Sequence, residues 1–274
     1  MTKTKQTELA PQQPDQLPAE AADYAEFAGG GFENHTSEDY TIPFISILQA
    51  LSPQLQEDDS LKSGMLFNTV TGEAFSGKDG VAFIPATTAH EFVEFKPREA
   101  GGGFLGRHDV DSAVVKHAKE ASVEFGKYRT PDGNELTETF NVYGIALLPD
   151  GTIQQAVIAF SGSKIKKYKA WMTKAKTIQI QLPDGRRIPA PLFAHVYRLR
   201  TVTEKNSKGQ FANFDISFDG ENAAAARLLP SSALFQEAVA IKDLLSTGQA
   251  RAAYESQTGA SDGEATVSSG KPVF

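Results

Sequence analysis

The chain has 274 residues, 40% of them hydrophobic and 22% charged, with a formal net charge of −7 and no cysteine. Ordinary apolar content with no uninterrupted apolar run of about 18 residues is that of a soluble globular chain, so a membrane protein is not expected. The missing thiols exclude a disulfide scaffold, a cysteine-ligated zinc site and a cysteine nucleophile.

Residues 1–38 carry Pro11, Pro14 and Pro18, a Gln-rich patch and the glycines Gly29, Gly30 and Gly31. Too few apolar groups are present to offset the entropy of ordering, so a disordered acidic arm is expected. Its polar start lacks the apolar stretch of a secretory signal, and the expected compartment is the cytoplasm. Residues 42–51 (IPFISILQAL) read as a strand held extended by Pro43 and stopped by Pro53. Residues 65–70 and 73–75 form a short hairpin around Thr71 and Gly72. Residues 81–85 and 91–96 are two further strands, and residues 101–103 a glycine loop. Residues 139–148 and 153–160 flank Pro149, Asp150 and Gly151, a turn in which Pro presets φ and Gly accepts a positive one.

The period then changes. Ile165, Tyr168, Met172 and Ala175 recur at helical spacing, which predicts a helix over residues 163–176. Strands resume at residues 177–182, 192–203 and 211–218. A last helix runs from Ser231 or Ser232 to about Tyr254, with Leu234, Ala238, Ile241 and Leu245 on one face and Ser as its cap. Residues 256–274 are again too polar to pack. The predicted class is α+β and β-rich: an OB-fold-like five-stranded Greek-key barrel with added strands, one helix between strands and a C-terminal helix. The domain boundaries that follow are an arm at 1–38, a nucleic-acid-binding domain at 39–220, a helical segment at 221–255 and a disordered tail at 256–274.

The charge is unevenly spread. Residues 161–210 hold twelve Lys or Arg against only Asp184 and Glu204. Such a basic block inside an acidic chain concentrates polyanions locally while the remainder keeps the protein soluble. The candidate contacts for a nucleic acid are Lys164, Lys166, Lys167, Lys169, Lys174, Arg186, Arg187, Arg198, Arg200, Lys205 and Lys208. Trp171, the single tryptophan, shares a helix stripe with Lys167 and Lys174 and is the candidate base-stacking residue. The plainer alternative is that Trp171 and Tyr168 pack the helix onto the sheet. Alternation in the strand at 192–203 sends Phe193, Tyr197 and Leu199 one way and Val196, Arg198, Arg200 and Val202 the other. In the next strand Phe214, Ile216 and Phe218 read as core, with Asn213 and Asp215 outside.

Catalytic signatures are scarce. Gly162, Ser163 and Lys164 imitate the end of a phosphate-binding loop, but position 157 is Val where that motif needs Gly, and neither H-E-x-x-H nor G-x-S-x-G occurs. His108, Asp109, Asp111 and His117 permit a metal site on paper, against the reading that they are simply exposed. No cofactor is expected.

Several stretches have a shared likeness: Ile42 with Pro43, residues 47–53 (ILQALSP), 64–72 (GMLFNTVTG), 189–193 (PAPLF), 197–202 (YRLRTV) and 204–209 (EKNSKG). As a set they resemble bacteriophage-encoded single-stranded-DNA-binding proteins built on an OB-fold. The resemblance implies coating of single-stranded DNA without sequence preference, in a replication or recombination module, inside an infected or lysogenic bacterial host. It also implies contact of Phe274, at the end of a weakly acidic tail, with replication proteins, and it is compatible with a homo-oligomer. The competing expectations are a metal-dependent DNA-processing enzyme and a phage structural or assembly protein that meets an acidic partner.

Overall fold

The computed structural model describes residues 30, 31, 33, 41–207 and 209–246. Nearly all of the predicted arm, the whole tail with Phe274, and Lys208 lie outside the described residues. The chain is mixed α and β and rich in strand, with antiparallel sheets and few helices. The elements are β1 (Ile45–Ile47), α1 (Gln54–Glu57), β2 (Leu66–Asn68), β3 (Ala74–Phe75), β4 (Val81–Phe95), β5 (Phe104–Asp109), α2 (Ala113–Ala121), β6 (Tyr128–Arg129), β7 (Glu135–Leu147) and β8 (Ile153–Ser161). They continue as α3 (Lys164–Lys176), β9 (Gln179–Gln181), β10 (Arg187–Pro189), β11 (Tyr197–Asn206), β12 (Gly209–Phe218) and α4 (Ala233–Ser246).

The axis of the fold is the long pair β4 and β7. The two runs expected at 81–85 and 91–96 are one strand, because Pro85 sits at a register shift between Pro85 and Thr87. A residue without an N–H interrupts a central strand, but a bulge accommodates it. The β7–β8 hairpin forms as expected, with Gly151 at φ 89 in its turn.

Seven antiparallel strands make the main sheet. Its path β12-β11-β4-β7 continues to β8 beside one part of β7 and to β6 beside another, while β5 pairs the far half of β4. Within it, β4, β7 and β8 follow one another antiparallel, and β11 returns through α3 to lie beside β4. The spatial order β11-β4-β7-β8 is therefore that of a Greek key.

This five-strand path is curled but not closed. In a flat sheet β12 and β8 would lie four spacings apart, about 19 Å, yet the Phe160 and Phe214 rings on those strands are 5.2 Å apart. No ladder joins the two strands among the described residues, so the expected five-stranded Greek-key barrel does not close. Side chains and a bridging segment fill the gap. Trp171 and Ala175 of α3 are buried in the same cluster as Phe160 and Phe214. On the other side of the gap, the Val157 N–H of β8 donates to the Pro43 carbonyl at 2.8 Å. The Gln49 amide donates to the Ala212 carbonyl of β12 at 2.8 Å and accepts from its N–H at 3.0 Å, as a strand partner would.

The opposite face of the sheet is covered by α4, whose Ala238 and Ile241 pack with Ile84, Tyr143, Ile145 and Val157. Ser232 caps this helix, as read from sequence, by accepting from the Phe235 N–H at 3.3 Å. A smaller cluster joins Phe92, Val115, Ala118, Tyr128 and Leu136 in the excursion between β4 and β7.

Three local expectations are corrected. The strand predicted at 192–203 starts only at Tyr197, because Pro191 leads into a 3-10 turn at Leu192–Ala194. Phe193 consequently meets Phe235 of α4 at 5.0 Å and packs with the cluster under α4, not with Tyr197. Asn213, expected outside, is 1% exposed, and it is tolerated there because it donates to Glu204 at 2.7 Å and accepts from the Phe214 N–H at 2.9 Å. The strand at 42–51 shortens to Ile45–Ile47. No helix among the described residues is long and apolar enough to cross a membrane.

His195, at the mouth of β11, is buried and its Nε2 has no hydrogen-bond partner among the described residues. Burial, assisted by the Arg227 charge, holds its pKa below the ordinary histidine value. The unfolded chain therefore binds the proton more readily, so stability is complete above about pH 6.5 and falls as pH drops through that value toward the folded pKa. The melting temperature of His195→Gln should accordingly fall less between pH 7 and pH 5 than that of the wild type. Parallel pH profiles of the two proteins would refute this assignment.

Candidate nucleic-acid interface

Helix α3 carries six lysines and no acid, and the fold gives these six different roles. Lys164 is 6% exposed, with Nζ 5.8 Å from the Phe214 ring centre. Lys167 is paired with Glu204 of β11 at 2.6 Å. Hydrogen bonds from Lys167 and then Asn213 hold the Glu204 carboxyl below its usual pKa. Lys166, Lys169, Lys174 and Lys176 are exposed and form no ion pair among the described residues. Spacings of three and seven residues put Lys166, Lys169 and Lys176 on one side of the helix, away from Trp171, and Lys174 on another.

Trp171, the candidate stacking residue, is 4% exposed. Its indole meets Tyr197 edge-on at 5.2 Å and Phe160 at 6.0 Å. It is a core group, which the sequence had offered as the plainer reading. Burial pushes the Tyr197 hydroxyl up to about 12, with the Trp171 N–H opposing, so it stays neutral.

Aromatic surface beside the lysines comes instead from Tyr168 and from two residues that sequence reasoning passed over, His90 and Phe140. His90 of β4 stacks on Phe140 of β7 at 4.0 Å and 13°. Phe140 in turn stacks on Tyr168 of α3 at 4.6 Å. All three are at least partly exposed, and Lys169 Nζ lies 5.7 Å from the Phe140 ring centre. Only Tyr168 had a sequence signal, its place on the helix; the β4–β7 register that brings His90 to Phe140 has no local signature.

The remaining cations are dispersed. Arg198 and Arg200 alternate away from Tyr197 and hence from the face that meets Trp171. Arg198 is bound by Asp219 at 2.8 Å, and Arg200 donates to Ser217 at 3.2 Å. Arg186 pairs with Asp184 at 2.7 Å in the turn of the separate β9–β10 hairpin, where Arg187 is exposed. Lys205 is exposed near the tip of the β11–β12 ribbon. The twelve-residue basic set is thus not one surface, and its unpaired charge concentrates on α3.

The paper metal site does not assemble. His108 points to Glu94 at 2.6 Å, Asp111 lies 3.7 Å from Lys116, and no group of three or more His, Asp or Glu is gathered for a metal among the described residues. Between α3 and β12 runs a cleft of about 200 Å³, lined among others by Lys167, Trp171, Lys174, Tyr197 and Phe218.

A family model described as Pam3 phage gp34-like protein matches residues 10–251. The chain belongs to that family. No curated protein and no solved structure matches it. The phage kinship expected from the sequence is therefore established for this gp34-like chain, whereas the family so identified is not one described as binding single-stranded DNA. For the gp34-like fold, the placement of Trp171 has a direct consequence. Trp171→Ala should cost about 3–5 kcal/mol of stability, as large-to-small core changes do, read as a lower melting temperature. A variant that melts like the wild type would place Trp171 outside the core.

Proposed function

We propose that this phage protein binds single-stranded DNA without sequence preference, through the outer face of α3 and the aromatic run beside it. The observation that carries the reading is Lys169, whose Nζ lies 5.7 Å from the Phe140 ring in the stacked run of His90, Phe140 and Tyr168, with the exposed Lys166 and Lys176 on the same side of the helix. Cations that track phosphates next to part-exposed aromatic rings are the two elements of sequence-tolerant single-strand binding. The strand path lends support: a Greek-key sheet of five strands, partly open, with a helix between the third and fourth, is the plan of an OB-fold. On that reading, β4, β7, β8, β11 and β12 are its strands in order, and Lys205 lies near the tip of the ribbon formed by the last two. The activity is binding, so it requires no cofactor, and it belongs in the cytoplasm of the infected or lysogenic host, in replication or recombination.

The test is a fluorescence titration of equal-length single-stranded and duplex oligonucleotides across a range of salt. Three or four contacts from α3 correspond to a slope of log affinity against log salt of about −2 to −3, from roughly −0.7 per contact. Duplex should bind more weakly, since its bases are already stacked and paired. A slope near zero, or equal affinity for duplex, would dismiss this reading.

A further inference from the structure

The second rim of α3 faces a different kind of surface. Among the described residues β12 pairs only with β11, and the Asp219 N–H donates to the Val196 carbonyl at 2.9 Å. That bond fixes the phase of the ladder. In an antiparallel pair the residues alternate between exchanging bonds with the partner and turning their N–H and C=O away. Counting back along the register, Ser217, Asp215 and Asn213 exchange bonds with β11, while Phe218, Ile216, Phe214 and Ala212 turn theirs outward. Ala212 confirms the phase, since its outward groups are the ones that meet the Gln49 amide. Beyond it, Phe214 donates its N–H to the Asn213 side chain. Ile216 and Phe218 have no hydrogen bond for these groups among the described residues.

This open edge is one wall of the cleft beside α3, whose lining includes Phe214, Asp215, Ile216, Ser217 and Phe218 in sequence. The floor is apolar: Trp171, Tyr197 and Phe218. The opposite rim is cationic, with Lys174 Nζ 4.9 Å from the Phe218 ring centre and Lys167 along the same wall. Unpaired strand edges are templates for strand addition, and a pocket beside the edge takes alternate side chains of the added strand.

We propose that the groove between β12 and α3 binds an acidic, extended segment of a partner protein as an added antiparallel or parallel strand. Its backbone bonds to Ile216 and Phe218, one apolar side chain enters toward Trp171 and Tyr197, and a carboxylate meets Lys174. The charge of the rim selects this occupant, because α3 holds no acid and its Lys174, unlike Lys167 on Glu204, forms no ion pair among the described residues. The site is separate from the face formed by Lys166, Lys169 and Lys176, and it does not depend on the nucleic-acid reading.

The experiment uses the full chain and a fluorescein-labelled ten-residue peptide alternating Asp with Val, with one central Phe. Its binding is followed by anisotropy and by the emission of Trp171, the only tryptophan and part of the groove floor. Saturable binding with a change in Trp171 emission is expected. Lys174→Glu should weaken it about tenfold or more by charge reversal. Backbone N-methylation of the peptide at alternate residues should do the same by removing its donors. Ile216→Pro removes an outward N–H that the β11 ladder does not use, a position where strands tolerate proline, and should also weaken binding about tenfold. If Ile216→Pro lowers the melting temperature sharply, Lys174→Glu and the methylated peptide decide the matter. No saturable binding, or binding indifferent to both, overturns the proposal. So does self-association abolished by Lys174→Glu or Ile216→Pro, which gives the edge to a second copy. Displacement of the peptide by oligonucleotide with the same variant dependence gives the groove to nucleic acid and overturns it too.

Discussion

Replacing Lys166, Lys169 and Lys176 together by Gln is expected to reduce affinity for single-stranded DNA roughly a hundredfold at 0.1 M salt. Each phosphate contact releases about 0.7 of a counterion from a single strand, so three contacts change the salt slope by about 2. Counterion release contributes nothing near 1 M salt, and one decade below that a slope of 2 amounts to two decades of affinity. The melting temperature should scarcely move, because the three side chains are exposed and make no ion pair among the described residues. The measurement is the salt titration already described, run on the triple variant. The companion change of Arg198 and Arg200 to Ala should leave the slope within about half a unit of wild type, since these residues already hold Asp219 and Ser217. A slope that flattens for the arginine pair and not for the lysines would place the phosphate path on β11.

The largest stability effect is expected at Gly144, in the middle of β7 opposite Pro85. A Cβ at this position would lie 2.1 Å from the Ile84 carbonyl oxygen and 2.8 Å from the Phe83 ring. The first of these neighbours is backbone, in the most heavily paired strand of the fold, so it cannot yield without opening the ladder. Gly144→Ala should therefore destabilise by about 3 kcal/mol or more, as forced overpacking does. The melting temperature should fall by roughly 10 °C, at about 2–4 °C per kcal/mol for a chain of this size. Gly106→Ala, in β5, is the control: nothing lies within 4 Å of its added Cβ, and its melting temperature should stay close to wild type. Circular dichroism melts of both variants check the pair, and a stable Gly144→Ala would mean that the bulge at Pro85 relaxes more easily than the ladder suggests.

The lysines of α3 were legible from sequence because helical spacing is local: charges at three and seven residues share a side whatever the helix packs against. Their separation into buried Lys164, paired Lys167 and free Lys166, Lys169 and Lys176 was not, because it depends on Phe214 and Glu204, which arrive from strands later in the chain. Trp171 shows the same limit. Its stripe with Lys167 and Lys174 was correctly read, but whether a stripe faces solvent or a second sheet strand is a tertiary matter, and here Phe160 and Tyr197 enclose it.

Local chemistry by itself determined the turn at Pro149, Asp150 and Gly151, the Ser232 cap of α4, the change of period at α3 and the antiparallel, strand-rich class. Each depends on a few adjacent residues and their allowed dihedrals. The phage kinship was likewise carried by short segments. Tertiary structure alone decided the rest, through pairings distant in sequence. It joined residues 81–95 into one bulged strand, because Pro85 is harmful only if its N–H is needed by a neighbour. It buried Asn213, because Glu204 and the Phe214 N–H satisfy that amide. It also left the five-strand sheet open between β8 and β12, with Trp171 and the Gln49 amide filling the gap. Alternation can tell which face of a strand is apolar, but not whether the last strand's edge finds the first sheet partner or a helix, since every edge carries the same backbone donors and acceptors.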